Sequence, residues 1–277
     1  QKALQFKPNH AAVHHNLAIA LASVGKMEEA AEQYAEVERL QPKSAEAHNN
    51  LGNALAGQGK IEEAVYHYSQ VLQIQPDYAE AQNNLGVALA RLGRLSEAVG
   101  CLYEAVRLKP EWAEAHNNLG NALYAQGKFN EAIDHYVEAL RFKPNDLGTR
   151  HNLAIALASV GKTEEAAEQY AEVVKLQPKS AEAHFNLGTA WARLGELDKA
   201  SSCFTRVLQL EPNFAEAHNS LGVVLARQGK LHEAIDHFRA ALRLKPDFVR
   251  AHNNLRTALQ QAGQSEVAPK NTAKPQS

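Results

Sequence analysis

Residues 45–78 read AEAHNNLGNALAGQGKIEEAVYHYSQVLQIQPDY, and their punctuation decides the fold. Ala47, Leu51, Ala54 and Leu55 recur at helical spacing and make one apolar stripe. Gly59 ends this first helix as a left-handed C-terminal residue does. Ile61, Ala64, Val65, Tyr68, Val71, Leu72 and Ile74 carry a second helix. Pro76 breaks it, and Asp77 stands where it can cap the helix that follows. A connection this short makes the two helices antiparallel. Gly52 and Ala64 are the small residues expected to let their backbones approach closely. Neither helix buries its stripe alone, so each pair has to stack on the next.

The same punctuation recurs along the chain. Pro8, Pro42, Pro76, Pro110, Pro144, Pro178, Pro212 and Pro246 stand 34 residues apart, as do Gly25, Gly59, Gly93, Gly127, Gly161, Gly195, Gly229 and Gly263. A period between about 20 and 50 residues marks a stacked-repeat architecture. Counted from three residues after each proline, the repeats are 11–44, 45–78, 79–112, 113–146, 147–180, 181–214 and 215–248. Residues 1–10 fit the second half of a truncated repeat, which reads as a piece of a longer protein. Arg256 stands where a following helix needs Gly or Ala, and Pro269 interrupts that helix. Residues 249–263 therefore read as a lone capping helix and 264–277 as a flexible tail. Residues 15–48 and 151–184 agree at all but three positions, Met27/Thr163, Glu38/Val174 and Arg39/Lys175, as a block duplication would leave them.

Composition removes several classes of function. With 29 Lys and Arg against 31 Asp and Glu, the net charge of −2 gives no general attraction to nucleic acid or anionic membrane. The longest apolar stretch, Leu17 to Gly25, is about half of a bilayer span. No charged-then-apolar leader is visible, and a cytoplasmic setting is the default expectation. Cys101 and Cys203 share one repeat position three repeats apart, a separation of roughly 30 Å that no disulfide spans. Free thiols of this kind suit a reducing compartment.

The order His48-x-x-Leu51-Gly52-x-x-Leu55, then Ala64-x-x-x-Tyr68, then Pro76, resembles the tetratricopeptide repeat (TPR) pattern. It departs by having His where Trp is usual and Leu where Tyr is usual, both still space-filling. The resemblance implies an all-α fold, a right-handed superhelix or α-solenoid of antiparallel helix pairs whose first helices line a concave groove. The wording at 45–55 is similar to the TPR region of O-GlcNAc transferases and related bacterial proteins.

One column of side chains stands out as a candidate binding site. Position six of the repeat is Asn16, Asn50, Asn84, Asn118, Asn152 and Asn186, then Ser220, then Asn254. Asn is a mediocre mid-helix residue, but its amide offers both a donor and an acceptor to one peptide unit of an extended chain. With helices stacked roughly 10 Å apart and a strand rising about 3.3 Å per residue, such a ladder meets a ligand backbone at about every third residue. In O-GlcNAc transferases the corresponding column grips peptide, and the resemblance carries that role to these seven asparagines. The competing reading is that each Asn bonds the adjacent helix and only fixes stacking. Neighbouring positions five and nine, with Asn49, Asn53, Asn83, Asn117, Asn121 and Phe185, are the candidate specificity contacts. Position two, with Glu46, Glu80, Glu114, Glu182 and Glu216, makes the groove mildly acidic if it faces inward, or merely complements the helix dipoles. Position five has no Lys and position six no Arg, which disfavours a clamp for a terminal carboxylate.

Other chemistry finds little support. His14, His48, His116, His184, His218 and His252 all occupy position four. Spaced about 10 Å or more by stacking, they do not converge on one ion, and the expectation is no metal site. His10 and His14 are four apart but lack a third ligand. The pairs Glu28-Glu29, Glu62-Glu63 and Glu164-Glu165 begin second helices, where carboxylates favour the dipole. No phosphate loop or nucleophile elbow is present, so no catalytic residue and no cofactor are expected. The expected function is a non-catalytic scaffold holding an extended peptide or protein segment, without nucleic acid or membrane as partner. The alternatives are the recognition arm of a larger O-GlcNAc-transferase-like glycosyltransferase, and a scaffold that self-associates through Ala3, Leu4 and Phe6 at its exposed end.

Overall fold

A computed structural model of the chain describes residues 10–267, and side chains as far as 263. Among these residues there are fifteen α-helices and no strand. In order they are α1 Ala11–Ser23, α2 Met27–Leu40, α3 Ala45–Gly57, α4 Ile61–Ile74, α5 Ala79–Arg91, α6 Leu95–Leu108, α7 Ala113–Ala125 and α8 Phe129–Phe142. They continue as α9 Leu147–Ser159, α10 Thr163–Leu176, α11 Ala181–Leu194, α12 Leu197–Leu210, α13 Ala215–Arg227, α14 Leu231–Leu244 and α15 Val249–Val267. The chain divides into two compact units, Gln1–Thr149 and Arg150–Ser277. None of the described helices is long and apolar enough to cross a membrane.

Among helices lying wholly within one unit each packs on the next, and first helices of successive repeats also touch: α3 on α5, α5 on α7, α11 on α13 and α13 on α15. The turn between the two helices of a repeat is closed by its glycine. Gly59 has φ +82°, and the Lys60 N–H beyond it donates to Leu55 O at 3.0 Å, so orphan carbonyls at the helix end find partners. The residue before each proline from Pro42 to Pro246 has left the helical region, with φ between −139° at Lys245 and −130° at Gln177, which ends the second helix. Asp77 does not cap the helix that follows. The N-cap of α5 is Tyr78, one residue on, and it makes no side-chain cap bond. Where that position is Ser, the cap forms: Ser44 and Ser180 accept from the N–H of Ala47 and Ala183, both at 3.1 Å.

The small residue at position eight makes room for a ring rather than for a backbone. A Cβ on Gly52 would stand 2.7 Å from Tyr68 Cε1, and one on Gly120 would stand 2.6 Å from Tyr136 Cε1. Phe204 and Phe238 occupy the same place over Gly188 and Gly222. Only at Gly86 does backbone come close, with Ala98 O at 3.0 Å beside Leu102. Tyr68 and Tyr136 are fully buried and donate their hydroxyls to Asn53 Oδ1 at 2.8 Å and Asn121 Oδ1 at 2.9 Å. Burial pushes the Tyr68 phenol up to about 12. Repeats 11–44 and 147–180 solve the same problem differently. Their position eight is Ala18 or Ala154, position nine is Ile19 or Ile155, and the rings of Tyr34 and Tyr170 stand edge-on to His15 and His151 at 6.0 and 5.9 Å.

The last helix runs past the expected boundary at 263 to Val267. Gly263 does not take the left-handed conformation of its seven counterparts, and the helix runs through it, with no breaker in the sequence before Pro269. The expected half-repeat with Ala3, Leu4 and Phe6, and the tail beyond 267, lie outside the described residues.

Gly120→Ala is expected to lower stability by about 1–3 kcal/mol through overpacking against Tyr136. The gain in helix propensity, about 1 kcal/mol, does not offset it. Adding Asn117→His and Asn121→Ile reproduces the first repeat's solution and should recover most of the loss. Urea midpoints of the three proteins check this; a neutral or stabilising Gly120→Ala contradicts the packing.

Candidate functional site

The asparagine column lies along the faces where first helices of neighbouring repeats meet. In the first unit, Asn83, Asn84 and Asn118 line a depression of about 200 Å³ together with Val87, Arg91 and Glu114. In the second, Asn254 lines one of about 300 Å³ with Val223, Arg227 and Thr257, in the same register. Asn16 lines a third, also about 300 Å³, beside His15 and Glu46. Four of the seven asparagines, Asn16, Asn84, Asn118 and Asn254, thus border recesses between helices.

Several of its amides are already engaged. Asn84 Nδ2 donates to Asn53 Oδ1 at 3.0 Å, Asn118 Nδ2 to Asn83 Oδ1 at 3.0 Å, and Asn254 Nδ2 to Asn219 Oδ1 at 2.9 Å. Each bond joins one repeat to the one before it. Asn50 and Asn186 are half-buried, and among the described residues no side-chain hydrogen bond holds them. Asn152 has a partner of its own. The column thus mixes stacking asparagines with uncommitted ones.

Position five departs from the expectation of specificity contacts. Asn49, Asn83 and Asn219 are buried, turned into the stack because each lies one residue from the groove face on a helix. Asn49 Oδ1 is buried without a partner. Asn117 accepts from Thr149 Oγ1 at 3.2 Å. Phe185 packs its ring on Phe204 at 5.6 Å and Phe214 at 5.1 Å, as part of an apolar cluster. Asn53 and Asn121, at position nine, are exposed but spend an oxygen on the buried tyrosine beneath.

Charge in these recesses is mixed rather than acidic. Glu80 pairs with Lys109, and Glu216 with Lys245 at 3.1 Å, so two of the five position-two carboxylates are met by a lysine. The Lys109 ammonium holds the Glu80 carboxyl below its ordinary value. Arg91 and Arg227, at position thirteen, reach back to carbonyls of the preceding repeat, Ala56 O at 3.4 Å and Ala192 O at 2.7 Å. Those arginines were not singled out from sequence; their shared register was the available signal.

The position-four histidines have a structural task and a set of partners. Nε2 of His48, His116, His184, His218 and His252 donates to the carbonyl of the proline six residues earlier, at 3.2, 2.9, 3.1, 3.1 and 2.8 Å. A carbonyl only accepts, so Nε2 carries the proton and Nδ1 keeps a lone pair when these rings are neutral. That Nδ1 faces position 23 of the same repeat: His67 at 3.3 Å, His135 at 3.1 Å and His237 at 3.0 Å. In other repeats Gln33 and Gln169 take the place of the second ring, against His14 and Arg150. Burial first, then the facing His116 or His218, lowers the imidazoles of His135 and His237 below their ordinary value, against Asp134, Glu131 and Glu138 at the one and Asp236 and Glu233 at the other. Burial raises the thiols of Cys101 and Cys203, which keeps them protonated and unreactive.

Known proteins share this architecture. The family described as TPR repeat matches residues 20–59, 52–93 and 88–127, and families described as Tetratricopeptide repeat match 113–146, 151–201 and 196–247. Among solved structures, the C-terminal part of a TPR repeat-containing protein from Cytophaga hutchinsonii superposes with a TM-score of 0.73 at 17% identity, covering 87% of this chain and 99% of that one. YrrB, described as a TPR protein with an unusual peptide-binding site, gives 0.62 at 24% identity over 68% of this chain and 97% of its own. The APC/C hetero-tetramer Cut9-Hcn1 gives 0.61 at 20%, over 93% of this chain and 51% of that one. Identities this low speak for the fold alone. No curated protein matches the chain.

An imidazole held low in the fold stays neutral while the unfolded chain takes up its proton near pH 6.5. The stability tied to this neutral form is complete above about pH 6.5 and is lost as pH falls from there through the folded value. Melting temperature should therefore drop between about pH 7 and 5, and drop less in His135→Gln/His237→Gln. An unchanged slope in that variant contradicts the assignment.

Proposed function

The chain belongs to the tetratricopeptide repeat family, and from that premise we propose that it is a non-catalytic scaffold gripping an extended peptide or protein segment through its position-six asparagines. The fold is one typical of protein–protein interaction. The observation that carries the finer reading is the depression lined by Asn84, Asn118, Val87, Arg91 and Glu114. It offers amide groups for a ligand backbone, an apolar floor, and charges of both signs at its rim. Amides paired to one another across repeats can exchange that partner for a peptide unit, since each retains hydrogen-bonding capacity. Asn50 and Asn186 need give up nothing. YrrB, with the same architecture, is described as having a peptide-binding site, which favours such a ligand here too.

Recognition of this kind reads main chain more than side chain, so affinity should extend over unrelated sequences while they remain extended. The two roles within the column separate by mutation. Asn50→Ala/Asn186→Ala should leave the melting temperature unchanged and weaken binding of a panel of labelled, unstructured peptides in fluorescence anisotropy. Asn118→Ala should cost about 1 kcal/mol of stability as well, because it cuts the bond to buried Asn83. Equal affinity of wild type and Asn50→Ala/Asn186→Ala for every peptide of the panel contradicts the ladder.

A further inference from the structure

We propose that Glu38, His48 and His67 form a three-ligand site for a zinc ion, stapling the second helix of one repeat to both helices of the next. Glu38 lies on α2, His48 on α3 and His67 on α4. His48 Nδ1 and His67 Nδ1 stand 3.3 Å apart, Glu38 Oε1 is 3.6 Å from the first, and Glu38 Oε2 is 3.5 Å from the second. One ligand atom from each residue lies within 4.8 Å of the other two. On a tetrahedral zinc with bonds near 2.0–2.1 Å, neighbouring ligand atoms are about 3.3 Å apart. The two imidazole nitrogens already hold that spacing, and the Glu38 carboxylate lies close enough to complete it with a small side-chain rotation.

The donor chemistry fits as well. Two imidazoles and a carboxylate are the ligand set of many zinc sites, with the fourth position left to water. A metal-bound histidine normally donates its other nitrogen to a carbonyl or carboxylate, which fixes the ring and its tautomer. His48 does this through Nε2 to Pro42 O at 3.2 Å, leaving the Nδ1 lone pair aimed at the cluster. His48 is buried and the other two residues half-buried, so the site is sheltered but open on the Glu38 side. All three sit on helices, which hold ligands more firmly than loops do.

The chain carries its own controls. The pairs His116–His135 and His218–His237 repeat the two-imidazole geometry, but Val106 and Leu208 stand where Glu38 stands. In the duplicated block Val174 replaces Glu38, while His184 keeps its bond to Pro178 O at 3.1 Å; beyond the block Cys203 stands where His67 stands. The histidine pairs belong to the repeat, whereas the carboxylate that completes a triad does not. That one of three differences between otherwise identical blocks supplies the third ligand separates a site from a packing pattern.

Calorimetric titration of ZnCl2 into the EDTA-stripped full chain tests this. One saturating equivalent is expected, with a rise in melting temperature, since an ion bound only by the folded state stabilises it. E38V installs the residue the duplicate carries, so circular dichroism should show an unchanged fold. Loss of a ligand should exceed the 10–100-fold affinity cost of losing an outer-shell partner. H135Q, which breaks a pair without a carboxylate, should bind zinc as wild type does. V174E/C203H should raise the stoichiometry to two. Zinc affinity unchanged in a folded E38V, or absent saturable binding in the wild type, overturns the proposal.

Discussion

A large side chain at position 24 of the second helix, a ring in every complete repeat but 79–112, packed over the small residue at position eight of the first helix is the contact on which the structure depends. Where position eight is Gly, the side chain at position 24, a Tyr or Phe ring or, opposite Gly86, Leu102, lies so close that a single Cβ would stand within 3.0 Å of it. That approach removes the side chain from water and sets how the two helices of a pair lie together. The pair still has an apolar face to cover, and only the next pair covers it. Stability of such a chain is then a sum of repeats and their interfaces, as a solenoid requires. Among the repeats with Tyr at position 24, Ala18 and Ala154 go with Ile at position nine, and Gly52 and Gly120 with Asn. An Asn at position nine holds the tyrosine hydroxyl, and an Ile there accompanies the tilt toward a histidine.

Most of the fold was legible because its signals are backbone requirements repeated at one period. A glycine with positive φ and a proline that stops a helix act locally, so Gly59 and Pro76 mark element ends without reference to anything distant. Capping was misread at Asp77, since Asp is a good cap by type but stands one residue too early. The end of α15 lies beyond the expected boundary because Gly263, though in register, sits inside a continuing helix rather than at a left-handed turn.

Side-chain partnerships across repeats were harder to see. The asparagine column was found as a column, but its bonds run diagonally, from position six of one repeat to five or nine of the one before. Position five is expected at the groove, yet Asn83, which borders the depression beside Asn84, is buried and gives its amide oxygen to Asn118 of the next repeat. The histidines were judged against one another along their column, where stacking keeps them apart. Their true neighbours are at position 23 of the same repeat and position 28 of the preceding one. Only the comparison of residues 15–48 with 151–184 hints that Glu38 is special. The recurring frame is thus structural, and function is written in departures from it: an Asn left without a partner, a Glu where siblings have Val or Leu.

The central claim is that an extended ligand lies along the first helices, on the position-six amides. Side-chain NH2 resonances of the chain, followed by heteronuclear NMR during titration with an unstructured peptide, test it most directly. The account predicts that Asn50 and Asn186 shift most, with Asn84 and Asn118 following as they exchange partners. Shifts confined to residues of the second helices, with the asparagine column unmoved, would contradict it.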